Sequence, residues 1–295
     1  MPRFQQVRLV VLHLSCVVLL WSIWKKVNYI DLTADESFNY KIPPPCKSLE
    51  VEFYRWNELL AHLQYQCVNV RSWPAKSFGI AVCGDEEVSG TGIKTEMRKF
   101  VSLTNNFDEL LFEDALFSFH GGEVTGVIVA PASVDRHLKY GRRIKHIPRT
   151  LIATTDDLYA GDKYMMLSEF LSVIDDQKNV IDYVKIDCTT CWQPLSQVNL
   201  VSELIRTGFF RQVKELHLVI RFLETTDQAV IFYEWYSTLF KLFYNASMAL
   251  YRAFTSGDCT FPPRRSCLYR LSFVNFLLTN ITSKVLTPVS GLGTF

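Results

Sequence analysis

Apolar side chains recur at helical spacing at Leu49, Phe53, Trp56, Leu59, Leu60 and Leu63, which predicts an amphipathic helix over 49–66. Beyond it, short apolar runs alternate with helical patterns. Ser77 to Val82, Glu123 to Val129, Ile181 to Asp187 and Val213 to Phe222 read as strands. Phe107 to Phe119, Tyr164 to Ile174, Leu195 to Arg206 and Gln228 to Ser247 read as helices, and the polar run Gly84 to Lys94 as a loop. Strands separated by helices of this length predict a parallel sheet with helices on both faces. Near the end the rhythm breaks: Leu250 to Phe254 and Leu268 to Phe276 read as strands, joined by a segment with Gly257, Pro262 and Pro263 that has no room for a helix. Such strands pair antiparallel. The expected fold class is α/β, a Rossmann-like sheet closed by a C-terminal antiparallel hairpin.

The N-terminal pattern differs. Sixteen residues from Leu9 to Trp24 form the one stretch apolar enough to enter a bilayer, against the roughly 20 of a full crossing. The run ends in Trp21, Ile23 and Trp24 and then Lys25 and Lys26, not in the small residues of a cleavage site, so it reads as an uncleaved signal anchor. A cleaved signal and a secreted protein are the alternative. Asp31, Asp35 and Glu36 after the lysines make the amino terminus the cytoplasmic end, which gives a single-pass type II protein with its body in the ER/Golgi lumen. Three prolines at Ile42-Pro-Pro-Pro-Cys46 end a stiff stem. The map is a cytoplasmic tail 1–8, an anchor 9–24, a stem 25–46, a globular domain 47–277 and a C-terminal tail 278–295.

Composition narrows the class. A chain of 295 residues, 48% hydrophobic, is not disordered, and 31 basic against 30 acidic residues leaves no footprint for nucleic acid. One apolar stretch excludes a polytopic channel. Outside the anchor, Cys46, Cys67, Cys83, Cys188, Cys191, Cys259 and Cys267 suit an oxidising lumen, and their odd number leaves one thiol free or intermolecular. Cys259 and Cys267 flank the last loop and would staple the final hairpin. Asn245-Ala246-Ser247 and Asn280-Ile281-Thr282 are glycosylation acceptors. The basic run Arg136 to Arg149 reads as a solvated loop, with an anion-binding lip as the sharper alternative. No two Asp stand two apart, so the metal site of many glycosyltransferases is missing, and isolated His62, His120 and His217 give no zinc site.

Four segments carry a resemblance, in order: Ser77-Phe78-Gly79-Ile80, Phe112-Glu113-Asp114-Ala115-Leu116, Ile181-Asp182-Tyr183-Val184-Lys185-Ile186-Asp187 followed by Trp192, and Ser272-Phe273-Val274-Asn275. Over about residues 46–277 they resemble the landmarks of the methyltransferase-like protein 24 family, related to FkbM-type methyltransferases. The resemblance implies a class I methyltransferase fold with S-adenosylmethionine as cofactor. It further implies that Ser77, Phe78 and Gly79 line the cofactor and that Asp187 lies near the transfer site.

The same resemblance exposes departures. In the family the cofactor turn runs quickly into the Phe-Glu-Asp-Ala-Leu helix, whereas here Ala81 to Leu111 intervene. The family's Phe-Asp-Pro, whose acid bonds the ribose hydroxyls, reads Val129-Ala130-Pro131. Its Glu-Gly after Lys-Ile-Asp is replaced by Cys188-Thr189-Thr190-Cys191, and its Glu-Ile-His reads Val219-Ile220-Arg221. The resulting expectation is a methyltransferase domain with degenerate cofactor and catalytic motifs, a pseudoenzyme with an unknown protein partner or acceptor. An active lumenal methyltransferase is the rival, and a binding or scaffold protein or a thiol-disulfide protein using Cys188 and Cys191 is the alternative. Cys-x-x-Cys at a strand end can hold a low-pKa thiol, but it comes late in a larger sheet than a thioredoxin's, and structural or inert thiols are the plainer account.

Overall fold

The computed structural model describes residues 42–73, 79–85, 88, 97–104, 111–120, 124–131, 143–152, 163–175, 180–187, 194–222, 228–262, 267–279, 281–286 and 288. The anchor, most of the stem, Ser77, Phe78, Cys188, Cys191 and Asn280 lie outside them. Among the described residues no helix is long and apolar enough to cross a membrane.

Helix α1 (Leu49–Ala61) begins where Ser48 Oγ accepts the Val51 N–H, and it buries Phe53, Trp56, Leu59 and Leu60. It stops short of the expected end because the chain is captured elsewhere. The N–H groups of Gln64 and Tyr65 donate to Leu250 O, and the Leu250 N–H donates back to Gln64 Oε1 at 2.8 Å. Strands β1 (Val70–Trp73) and β2 (Ile80–Cys83) follow as a separate antiparallel pair. A disulfide joins Cys67 to Cys83, and the Asp85 carboxylate accepts from Tyr65 Oη and from the Val68 and Asn69 N–H groups. Burial alone would raise the Asp85 pKa, but these three donors hold it below the usual carboxylate range.

The next elements are β3 (Arg98–Thr104), α2 (Leu111–Phe119), β4 (Val124–Val129), β5 (Ile144–Ile147), β6 (Thr150–Ile152), β7 (Tyr164–Met166), α3 (Leu167–Asp175) and β8 (Ile181–Asp187). After them come α4 (Pro194–Arg206), β9 (Val213–Arg221), α5 (Gln228–Ala246), β10 (Met248–Ser256) and β11 (Leu268–Asn275). Seven strands form one sheet in the order β10-β11-β9-β8-β3-β4-β5. β3, β4, β5, β8 and β9 pair parallel, while β11 is antiparallel to both β9 and β10. The chain fills one half of the sheet from β3 outward through β5, then returns past β3 to β8. That reversal makes the β3/β8 boundary the topological switch point. A mostly parallel sheet ending in an antiparallel hairpin is the arrangement of Rossmann-like methyltransferases.

Three strand expectations are corrected. The first parallel strand is Arg98–Thr104, not Ser77 to Val82; the apolar run there became β2, outside the main sheet, and Gly79 precedes that strand. β3 was hidden because Ser102 and Thr104 interrupt its apolar pattern, although both are buried. With β3 in place, the apparent insertion from Ala81 to Leu111 contains a strand of the main sheet, and residues 105–110 alone connect β3 to α2. Within the basic run, Ile144–Ile147 forms β5, with Ile147 buried and Lys145 exposed on the sheet's edge. The expected helix over 164–174 starts only at Leu167, because Tyr164–Met166 pairs with β6.

The two faces of the sheet differ chemically. Alternation puts Val101, Leu103, Val184, Ile186, Leu216, Leu218, Leu271 and Phe273 on one face, all buried and all apolar. Trp56 of α1 packs there edge-on to Tyr269 and Phe222, and Phe222 stacks on Phe232 of α5 at 4.0 Å. α4 joins α5 through Ser202 and Thr238. The opposite face carries Ser102, Thr104, Lys185, Asp187, Glu215, His217 and Ser272, every one buried. α2 and the β1–β2 pair cover it. Gly126 is required on β4 because a Cβ there would lie 2.4 Å from Phe100 O and 2.6 Å from its ring.

Candidate functional site

Ligands of open α/β sheets bind beyond the carboxyl ends of the strands at the switch point. Here that place is framed by Thr104 of β3 and Asp187 of β8, which are paired in register and buried. Val219 of β9 and Arg270 of β11 continue the same transverse row. Ala130 follows the last residue of β4, fully buried, its N–H bonded to Ile147 O at 3.1 Å. Gln197, in the first turn of α4, donates to Val219 O at 2.8 Å and ties that helix to the edge.

One row deeper, Ser102, Lys185, His217 and Ser272 stand side by side on four adjacent strands. Lys185 Nζ lies 3.1 and 3.2 Å from the two carboxylate oxygens of Glu113 on α2, with both side chains fully buried. Ser102 Oγ donates to the same carboxylate. Two of the landmark segments, Phe112 to Leu116 and Ile181 to Asp187, therefore meet in one buried ion pair. It anchors α2 beneath the site. His217 Nδ1 is 3.2 Å from Ser272 Oγ, and its ring lies between Phe112 and Tyr183. Burial, reinforced by the Lys185 charge, pushes its pKa down to about 3, so the imidazole is neutral.

A second buried acid lies deeper still. Glu215 Oε2 accepts the Cys83 N–H at 3.0 Å and lies 2.7 Å from Tyr251 Oη, which is also 2.7 Å from Ala81 O. Burial pushes the Glu215 pKa up to about 8 against the lowering effect of those two donors. At the amino end of the sheet Asp182 bonds Lys214 at 2.8 Å and Arg98 at 3.0 Å, and these bonds with the Lys99 N–H outweigh burial and keep it ionised.

Asp187 stands at the switch point, while Gly79 precedes β2, outside the seven-stranded sheet, and its neighbour Ile80 belongs to one core cluster with Ala130 and Val219. The first parallel strand ends at Thr104, and the sequence from Arg98 to Phe119 contains no glycine. Sequence reasoning missed Thr104, Glu113, Lys185, Glu215 and His217 as a buried set. Cys259 and Cys267 are disulfide-bonded, Cys46 is a free thiol, and Asn245 is exposed in the last turn of α5. Among the described residues, Cys67, Cys83 and Asp85 bring metal-type ligand atoms together, but the two sulfurs are bonded to each other and offer no thiolate. A cavity of about 340 Å³, lined by Leu171, Ile174, Thr207, Gly208, Phe209, Arg211 and Gln212, opens before β9, at the opposite end of the strands from Asp187.

No protein-family model matches the sequence, and no curated protein does. Solved structures with a similar course include a protein assigned as a methyltransferase, SMU.776, complexed with S-adenosylhomocysteine; it is 11% identical, with 64% of this chain and 47% of that one covered, at a TM-score of 0.39. A protein assigned as an S-adenosylmethionine-dependent methyltransferase, from Streptococcus mutans, has the same identity and coverage at 0.35. The Methanococcus jannaschii fibrillarin pre-rRNA processing protein is 12% identical over 63% of this chain and 70% of its own, at 0.33. The chain spans about half the length of the first two (47%). At such scores, function rests on this chain's own residues.

Proposed function

We propose that this chain is a divergent member of the methyltransferase-like protein 24 family that keeps the fold and has lost the cofactor, serving as a lumenal binding or scaffold protein. The observation that carries this reading is Ala130. It stands at the carboxyl end of the strand beside β3, where an acid would bond ribose hydroxyls, and its methyl is enclosed in a core with Phe112, Ile128 and Val219. The glycine-free sequence between β3 and α2 supports the same conclusion, because close approach of backbone to cofactor favours glycine.

Losing a charge-assisted pair costs roughly 10- to 150-fold in affinity. Calorimetry of the purified chain is therefore expected to show S-adenosylmethionine and S-adenosylhomocysteine binding weakly or not at all. A low-micromolar dissociation constant, together with methyl transfer that Asp187→Ala abolishes, would return the protein to the active class.

The two disulfides, Cys67–Cys83 and Cys259–Cys267, support placement in an oxidising lumen behind the N-terminal anchor. In sealed microsomes the body after Lys26 should resist added protease, and glycosidase should shift its mass through Asn245 or Asn280. Loss of the whole body to protease in intact vesicles would reverse the orientation.

A further inference from the structure

We propose that the carboxyl edge beside Asp187 binds an oxyanion, a phosphate or sulfate group, with Arg221 as its principal ligand and Arg270 as its second. The inference rests on the reading that this crevice no longer holds S-adenosylmethionine. Arg221 ends β9 two residues past Val219, the register partner of Asp187, and alternation sends both side chains to the same face. Its Cα is about 8 Å from that of Asp187 at ordinary strand spacing. The Nε of Arg221 is enclosed without a hydrogen-bond partner, and none of the ion pairs among the described residues includes this arginine.

An enclosed guanidinium nitrogen with no partner is costly, and a ligand that supplies two oxygens removes the cost. Arg270 shares the Asp187 row, and its Nη1 donates to Ser256 Oγ at 3.2 Å. Ser256 and Arg221 both pair with Leu268, so this bond draws the Arg270 head toward the row of Arg221. Two guanidinium groups thus face the edge, with Asp187 one row deeper. Among the described residues the two guanidinium groups outnumber the one carboxylate of Asp187, so the edge is net positive and attracts a planar or tetrahedral anion.

Titration calorimetry of the full chain with inorganic phosphate, inorganic sulfate and phenyl phosphate tests this, the three arms separating a free ion from an ester. Saturable binding is expected in at least one arm. Arg221→Gln should weaken it roughly 10- to 150-fold, and Arg221→Lys, which keeps charge but not the fork, should also weaken it. Arg206→Gln, altering an exposed pair with Glu203, serves as the control that leaves binding unchanged. Thermal melting of each variant confirms that it folds. Absence of saturable binding in all three arms, or binding indifferent to both Arg221 variants, overturns the proposal. Tight S-adenosylmethionine binding that Arg221→Gln leaves intact would overturn the cofactor reading instead.

Discussion

Lys185→Ala is expected to cost about 3–5 kcal/mol of folding stability, because it strands a buried carboxylate. Glu113 and Lys185 are both fully enclosed, and among the described residues the other donor to the acid is Ser102 Oγ. A hydroxyl cannot replace an ammonium bonded to both carboxylate oxygens. The double variant Glu113→Leu/Lys185→Met, by contrast, removes both charges while filling similar volume, and should lie within about 1–2 kcal/mol of the wild type or above it. Urea denaturation of the three proteins distinguishes these outcomes. If Lys185→Ala alone loses less than about 1 kcal/mol, the acid has found water or a proton and the pair does not hold α2 in place. The pair also bears on the site, since α2 begins seven residues after Thr104 and Lys185 lies two before Asp187.

Much of the frame was legible because its strands are bounded and apolar. Ile181 to Asp187 and the final hairpin were visible as runs of β-branched and aromatic residues with turn signals between them. The first strand of the sheet was not. Arg98–Thr104 carries polar side chains at alternate positions that are satisfied only by tertiary partners, and the more apolar Ile80–Cys83 competed for the same role. Within the site, Asp187 could be placed by its position at a strand end. The buried polar rows could not, because Lys185, Glu215 and His217 look like solvated residues until their neighbours across the sheet are known. A signal was present nonetheless: Glu215 and His217 alternate with Leu216 and Leu218 in a strand flanked on both sides by other strands, where no face meets water.

Glu215→Gln is expected to stabilise the protein at alkaline pH, by an amount of the order of 5 kcal/mol above pH 8. The sign follows from where each state binds its proton. Folded Glu215 titrates at about 8 against an ordinary 4.5, so its contribution is full below pH 4.5, declines as pH rises and is lost above 8. His217 works in the opposite direction. With its pKa pushed from 6.5 to about 3, its contribution is full above pH 6.5 and is lost as the unfolded chain takes up a proton toward pH 3. Between pH 4.5 and 6.5 the two slopes cancel, which gives the wild type a stability plateau that falls on both sides, by about 2 kcal/mol from pH 6.5 to 8. Glutamine, like the protonated acid, carries no charge at any pH: its carbonyl oxygen in the place of Oε2 accepts both the Cys83 N–H and the Tyr251 hydroxyl. The variant should therefore match the wild type near pH 4 and keep its stability at pH 9, as read by chemical denaturation across that range. A wild-type curve that stays flat from pH 6.5 to 9, or a variant that declines in parallel with it, would place the charge of Glu215 in contact with water and leave the alkaline loss without a source on β9.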